Sequence, residues 1–229
     1  HVFLTSEGYF KKITPQSLRM SGEQKLKEGD SICQSAESTN KSEVIFLTDK
    51  AQAYKCRLHE FDDGKASLLG DYLPQKLQMS EGEHVRFLVL PGNYQGYLLY
   101  VYENGKAAKI PVKSFDTKSN RRRLTGAYCD RSPLVAAIHL EEEGEVAIYS
   151  TDGRMLLLNT AMVAPKATRS SQGVAVMALK KNKVVKQVLP KAQAGIVNES
   201  RYRTRTLPAA GALLRAEDAQ EKQLTLEDT

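Results

Sequence analysis

One unit recurs four times along the chain. VFLTSEGYFKKI from Val2, VIFLTDKAQAYKCRL from Val44, LLYVYENGKAAKIPV from Leu98 and VAIYSTDGRMLLLNT from Val146 each read as strand, tight turn, strand. Their alternation of Val, Ile, Leu, Tyr and Phe with polar residues has the period of half-buried strands. Glu7-Gly8, Asn104-Gly105 and Asp152-Gly153 supply the positive φ that a two-residue hairpin turn needs. The second copy carries Lys50-Ala51-Gln52 instead, which predicts a looser turn. The copies begin 42, 54 and 48 residues apart, the size of one four-stranded propeller-like blade. A lone blade leaves its sheet faces in water, whereas stacked neighbours bury them against each other. The repeat therefore dictates an all-β array.

Further strands are expected at 31–36, 83–90, 134–140 and 174–179, one ahead of each later hairpin and one beyond the last. The last leads into 184–189, which leaves room for an irregular fifth blade near Val184. The connections at 14–30, 59–81, 113–131 and 159–173 are longer and polar, and they are where the copies differ. This gives a repeat domain over 1–189, with blades starting near 2, 44, 98 and 146, and an irregular extension over 190–229, first basic and then acidic, with a short helix expected near 209–219.

A hydrophobic fraction of 41% and a charged fraction of 26% over 229 residues describe a globular chain and exclude disorder throughout. No apolar run approaches the roughly 18 to 20 residues of a membrane span, so no membrane partner is expected. Cys33, Cys56 and Cys129 are odd in number and widely spaced, which fits free thiols in a reducing cytoplasm. A start at His1 without an initiator methionine reads as a piece of a longer chain. The formal net charge of +6 is modest, but its distribution is uneven. Residues 104–131 carry a net +6 and 166–205 a net +9, whereas 132–165 and the tail from Ala216 each carry −4. Blocks of this kind on connections suit a polyanion.

The stretches FLTSEGYFKKITPQSLR from Phe3, ENGKAAKIPVKSF from Glu103 and STDGRMLLLNTAMVAPKATRSSQGVAVMALKK from Ser150 resemble the repeat of the C-terminal domain of bacterial type IIA topoisomerase A subunits, those of gyrase and topoisomerase IV. The resemblance implies a β-pinwheel, a disc of hairpin-exchanging blades whose basic rim bends or wraps duplex DNA and presents it to the cleavage core. It implies a non-catalytic piece of an ATP-dependent enzyme, partnered by the ATPase B subunit with the rest of the A subunit in a heterotetramer, cytoplasmic and nucleoid-associated. ATP and magnesium would belong to the full enzyme, with no cofactor in this fragment. Gyrases of the family add a box of the form Q-(R/K)-R-G-G-(R/K)-G in the first blade. The corresponding loop here, Ser21-Gly22-Glu23-Gln24-Lys25-Leu26-Lys27-Glu28-Gly29, lacks the paired glycines and the arginines. That departure favours topoisomerase IV over gyrase, with a gyrase wrapping domain carrying a degenerate box as one alternative and a propeller-type protein-interaction module as another.

No catalytic set is legible. The family's tyrosine nucleophile lies in an upstream domain, and the tyrosines here fall in strand patterns. No G-x-x-x-x-G-K-[ST] loop is present. Cys56 and His59 are three apart but lack the second pair of donors that zinc requires. The candidate DNA-binding residues are Lys11, Lys12, Lys109 and Lys113 on or just beyond second hairpin strands, and Arg19, Lys118, Arg121, Arg122, Arg123, Lys166, Arg169, Lys180, Lys181 and Lys183 on connections. Guanidinium and ammonium groups suit phosphate oxygens, and adjacent arginines cannot all pair locally.

Overall fold

The structure is a computed structural model that describes residues 1–118 and 122–218. In chain order its strands are β1 (Val2–Thr5), β2 (Tyr9–Lys12), β3 (Ile32–Ala36), β4 (Glu43–Thr48), β5 (Ala53–Arg57), β6 (Asp71–Tyr72), β7 (Val85–Val89) and β8 (Tyr97–Tyr102). They continue with β9 (Lys106–Pro111), β10 (Arg123–Leu124), β11 (Leu134–Leu140), β12 (Glu145–Ser150), β13 (Arg154–Asn159), β14 (Val174–Ala175), β15 (Val185–Pro190) and β16 (Ala212–Leu213). Three one-turn helices, α1 (Pro15–Arg19), α2 (Leu73–Lys76) and α3 (Lys191–Ala194), sit in the connections.

The strands form four four-stranded sheets, β3-β1-β2-β6, β10-β5-β4-β7, β11-β8-β9-β14 and β15-β12-β13-β16. One rule generates all four. A hairpin occupies the centre, the next long strand in the chain pairs with its first member, and a two-residue strand from farther on pairs with its second. For the first three sheets that short strand comes from the connection after the following hairpin. Val2↔Lys12, Ile45↔Lys55, Leu99↔Lys109 and Ala147↔Leu157 are equivalent pairs in the four hairpins. The hairpin turn is tied to the neighbouring strand in the same way in each, by Ser6 N–H to Ser31 O at 2.9 Å, Asp49 N–H to His84 O at 2.9 Å, Glu103 N–H to Pro133 O at 3.0 Å and Thr151 N–H to Val184 O at 2.9 Å.

The chain divides into two compact units, His1–Gln95 with Val112–Asp130, and Gly96–Pro111 with the chain from Arg131 onward. Each contains two sheets. In the first unit Leu4, Phe10, Phe46, Phe61 and Leu73 are buried together. The Phe10 ring meets Phe61 edge-on at 4.7 Å and Phe46 at 5.2 Å. In the second unit Leu99, Val101, Ile148, Leu156, Leu158, Val176 and Met177 form the core, and a smaller cluster joins Ala147, Tyr149, Met155, Leu157, Ala194 and Tyr202.

Three sequence expectations change. The segment from Val184 does not open a fifth blade, because β15 pairs with β12 along five residues and completes the fourth sheet. The helix expected near 209–219 is not formed over the described part, 209–218, which supplies β16, followed by a 3-10 turn at Ala216–Asp218. Gly211 forces this outcome, since it holds φ +71 and a Cβ there would lie 2.6 Å from Met155 O of the hairpin it packs on. Gly173 leads into β14 by the same device, where a Cβ would collide with Ala107 O. The second hairpin turn is not looser. Ala51 takes φ +52 and its N–H reaches Thr48 O at 3.3 Å, matching Gly8 to Thr5 O at 3.1 Å. An alanine held in the left-handed region carries strain of about 1 kcal/mol.

Candidate nucleic-acid interface

The candidate cations fall into two sets that the sequence does not separate. The lysines on second hairpin strands point inward. Lys11 is buried, and its ammonium donates to Lys25 O at 3.1 Å and Ala66 O at 3.0 Å. Burial pulls its pKa below the usual lysine value. Lys12 bonds Asn40 Oδ1 at 2.8 Å and Leu58 O at 3.1 Å and pairs with Asp63 at 3.1 Å. Lys109 is buried as well, donating to Glu143 and to Thr160 O at 3.1 Å, with the Tyr97 ring centroid 5.2 Å away. Lys55, not singled out from the sequence, has the same register and donates to Phe115 O at 2.8 Å. These side chains are engaged by backbone carbonyls, an amide and carboxylates inside the fold. The physical reason is that a buried carbonyl without a donor is costly, and a long ammonium side chain on the hairpin reaches it.

The cations on connections are exposed, to different degrees of freedom. Arg19 closes α1 and is exposed. Lys113 pairs with Asp116 at 2.6 Å, Arg122 with Glu60, and Arg123 donates to Gln52 Oε1. Lys118 and Lys166 are exposed, and Arg169 is half-buried. Arg121 lies outside the described residues. Lys180, Lys181 and Lys183 are exposed and share one tight turn, in which Asn182 takes φ +60 and Lys183 N–H donates to Lys180 O at 3.0 Å. Among the described residues none of these three makes an ion pair. Lys180 stands near the turn of the fourth hairpin. Asp152 there is held below the usual carboxylate range mainly by the Ser150 hydroxyl, and the charges of Lys180 and Arg154 add to it. Lys186 on β15 and Arg205 are exposed too and went unnoticed in the sequence, although both lie inside its most basic block.

Two groups that could carry chemistry, Cys56 and Tyr54, are buried. Burial pushes the Cys56 thiol up to about 12 and the Tyr54 phenol to about 12, the latter also through its hydrogen bond to buried Glu83 at 3.0 Å. Neither is a nucleophile near neutral pH. Among the described residues no three His, Cys, Asp or Glu side chains are placed to share a metal ion. Among them, too, no helix is long and apolar enough to cross a membrane.

Four hairpin-centred sheets, each finished by a short strand borrowed from farther along the chain, define a β-pinwheel of four blades. The chain is similar to the A subunit of DNA topoisomerase 4 from Staphylococcus aureus, with 24% identity over 173 residues that make up 73% of this chain and 22% of the relative. It thus spans about a fifth of the length of the curated relatives it matches. No family model matches the chain. Among solved structures it is similar to the crystal structure of the C-terminal domain of DNA topoisomerase IV, with a TM-score of 0.70 and 21% identity over 85% of this chain and 61% of that one. The DNA gyrase A C-terminal domain gives a TM-score of 0.65 at 19% identity over 92% and 75% of the two chains. The E. coli ParC C-terminal domain gives 0.62 at 16% over 82% and 78%. The resemblance to type IIA topoisomerase A subunits drawn from the repeat is borne out.

Proposed function

We propose that this chain is the DNA-binding C-terminal domain of the A subunit of a bacterial type IIA topoisomerase, closer in behaviour to topoisomerase IV than to gyrase. It binds duplex through exposed cations on its connections, without reading sequence, and bends it toward the cleavage core of the parent enzyme. The observation that carries this reading is the turn of Lys180, Lys181 and Lys183, exposed and without ion pairs among the described residues, in a chain whose relatives are topoisomerase A subunits. Arg19, Lys118, Lys166, Arg169 and the arginines at 121–123 extend the surface. Lys113 joins it once Asp116 is displaced.

Bending a 20 to 30 base-pair site by 40 to 90° costs roughly 1 to 6 kcal/mol, which phosphate contacts and counterion release must offset. Cations mounted on short connections between sheets lose little entropy on binding. The loop at 21–29, which lacks the paired glycines and the arginines of the gyrase box, supports the topoisomerase IV side of the reading. An ATPase B subunit with the remainder of the A subunit completes the enzyme, in the bacterial cytoplasm at the nucleoid.

Duplex binding across a salt series, with end-labelled DNA that reports bending by energy transfer, tests the proposal. A steep linear fall of log affinity with log salt, together with approach of the DNA ends, is the expected result. Weak, salt-insensitive binding with straight DNA would overturn it and assign the surface to an acidic protein partner.

A further inference from the structure

The inward-pointing lysines obey a rule of their own. Lys12, Lys55 and Lys109 occupy one register, opposite Val2, Ile45 and Leu99. Their ammonium groups reach Leu58 O, Phe115 O and Thr160 O respectively. Each acceptor lies in the connection that follows the next hairpin, the same connection that delivers the outer strand β6, β10 or β14 to the lysine's own sheet. Backbone bonds run alongside: Gly64 N–H to Lys12 O at 2.7 Å, Lys55 N–H to Arg122 O at 2.6 Å, and Lys166 N–H to Lys109 O at 2.8 Å.

Among the described residues no hairpin follows the fourth, whose register position is Leu157. The C-terminal segment takes the part of the missing connection. Leu157 N–H donates to Tyr202 O at 2.9 Å, as Lys55 does to Arg122 O, and β16 pairs with β13 as the outer strand. With leucine in place of lysine the fastening shifts to other groups. Tyr202 packs on Leu157 and Ala147, and its hydroxyl donates to buried Asp218 at 2.6 Å. Asp218 also accepts from Val197 and Asn198 N–H, both at 3.0 Å. Arg203 makes a two-pronged contact to Glu145 at the start of β12, at 2.7 and 3.0 Å, and Lys191 joins Glu145 at 3.1 Å.

We propose that the lysine at this register is the coupling residue by which each blade grips the connection arriving from beyond its neighbour. Leu157 and the Tyr202 strap mark the fourth blade as the built-in end of the array. The lysine is thus a positioning residue rather than a DNA contact. The proposal stands on intramolecular bonds alone and is independent of the DNA reading.

Lys109→Met tests it in the full chain, with thermal unfolding and amide exchange as readouts and the salt slope of DNA binding as a separate one. The melting temperature is expected to fall by about 5 to 10 °C. Exchange at the Lys166 amide should quicken about tenfold or more. The salt slope of the folded protein should stay put, whereas loss of one phosphate contact would lower it by about one. Unchanged melting and exchange with a reduced slope would overturn the proposal. Lys55→Met, half-buried and bonded to a single carbonyl, serves if the first variant does not fold. It should speed exchange at its own amide, and an unaltered rate there refutes the coupling role. For the strap, Tyr202→Phe should speed exchange at Leu157 while leaving Ile45 as it was; equal protection of Leu157 in both proteins would refute the end-of-array assignment.

Discussion

The stretch 112–130 in the first unit carries a net charge of +3 and the stretch 166–186 in the second +6, and they offer it differently. In the first, Lys113 faces Asp116, Arg122 faces Glu60 across the β5 end, and Arg123 is held by Gln52. In the second, Lys180, Lys181 and Lys183 project from one turn with no ion pair among the described residues. What separates the two is the supply of carboxylates and amides: in the first unit Asp116 lies three residues from Lys113, and folding brings Glu60 and Gln52 from 62 and 71 positions away, whereas the turn in the second has no ion pair among the described residues. Net charge along a sequence is therefore a poor measure of cations available to a ligand.

The contrast can be broken most directly by removing both sets. Replacing Lys180, Lys181 and Lys183 together by Ala should lower duplex affinity by one to two orders of magnitude near 0.1 M salt and cut the salt slope by about two to three. Arg122→Ala with Arg123→Ala should cost less than about threefold, and equal losses from the two variants in a binding titration would erase the distinction. A sharper probe is Glu60→Gln, which keeps the bond to Arg57 N–H but releases Arg122 from its acid. Affinity should rise about two- to threefold, with stability changed by less than about 1 kcal/mol since the pair is exposed. The smallest effect concerns the hairpin turns, alanine in the first unit's second copy and glycine in both hairpins of the second unit. Ala51→Gly should raise stability to urea by about 0.5 kcal/mol by relieving a left-handed alanine.

The hairpins were legible because strand alternation and turn glycines are local signals, and β1–β2, β4–β5, β8–β9 and β12–β13 stand where the repeats begin. Of the two-residue strands only Val174-Ala175 falls in a stretch expected as a strand, 174–179, whereas Asp71-Tyr72 and Ala212-Leu213 have no strand periodicity; all three are held by partners more than 50 residues away. A signal was nonetheless present, a glycine directly ahead of each of these three, Gly70, Gly173 and Gly211, packed against hairpin backbone. The inward turn of Lys12, Lys55 and Lys109 ran against the strong expectation that lysine is exposed. Its signal was the recurrence of lysine at one register in three copies and leucine in the fourth. At the interface the basic blocks were visible in the sequence, but which cations were already engaged depended on Glu60, Asp116 and Gln52, and that is tertiary information.

The borrowed outer strand sets the order in which the chain can finish itself during synthesis. A nascent chain that has just emerged through Lys12 holds its first hairpin but cannot close the first sheet until Tyr72 follows. The second waits for Leu124, the third for Ala175 and the fourth for Leu213. At every stage one sheet edge stands open until the next hairpin and its connection have left the ribosome, so each blade acts as the template on which its successor's connection is caught. Such long-range pairing slows folding and leaves strand edges open to wrong partners. Emergence of Leu213 closes the last of these four edges.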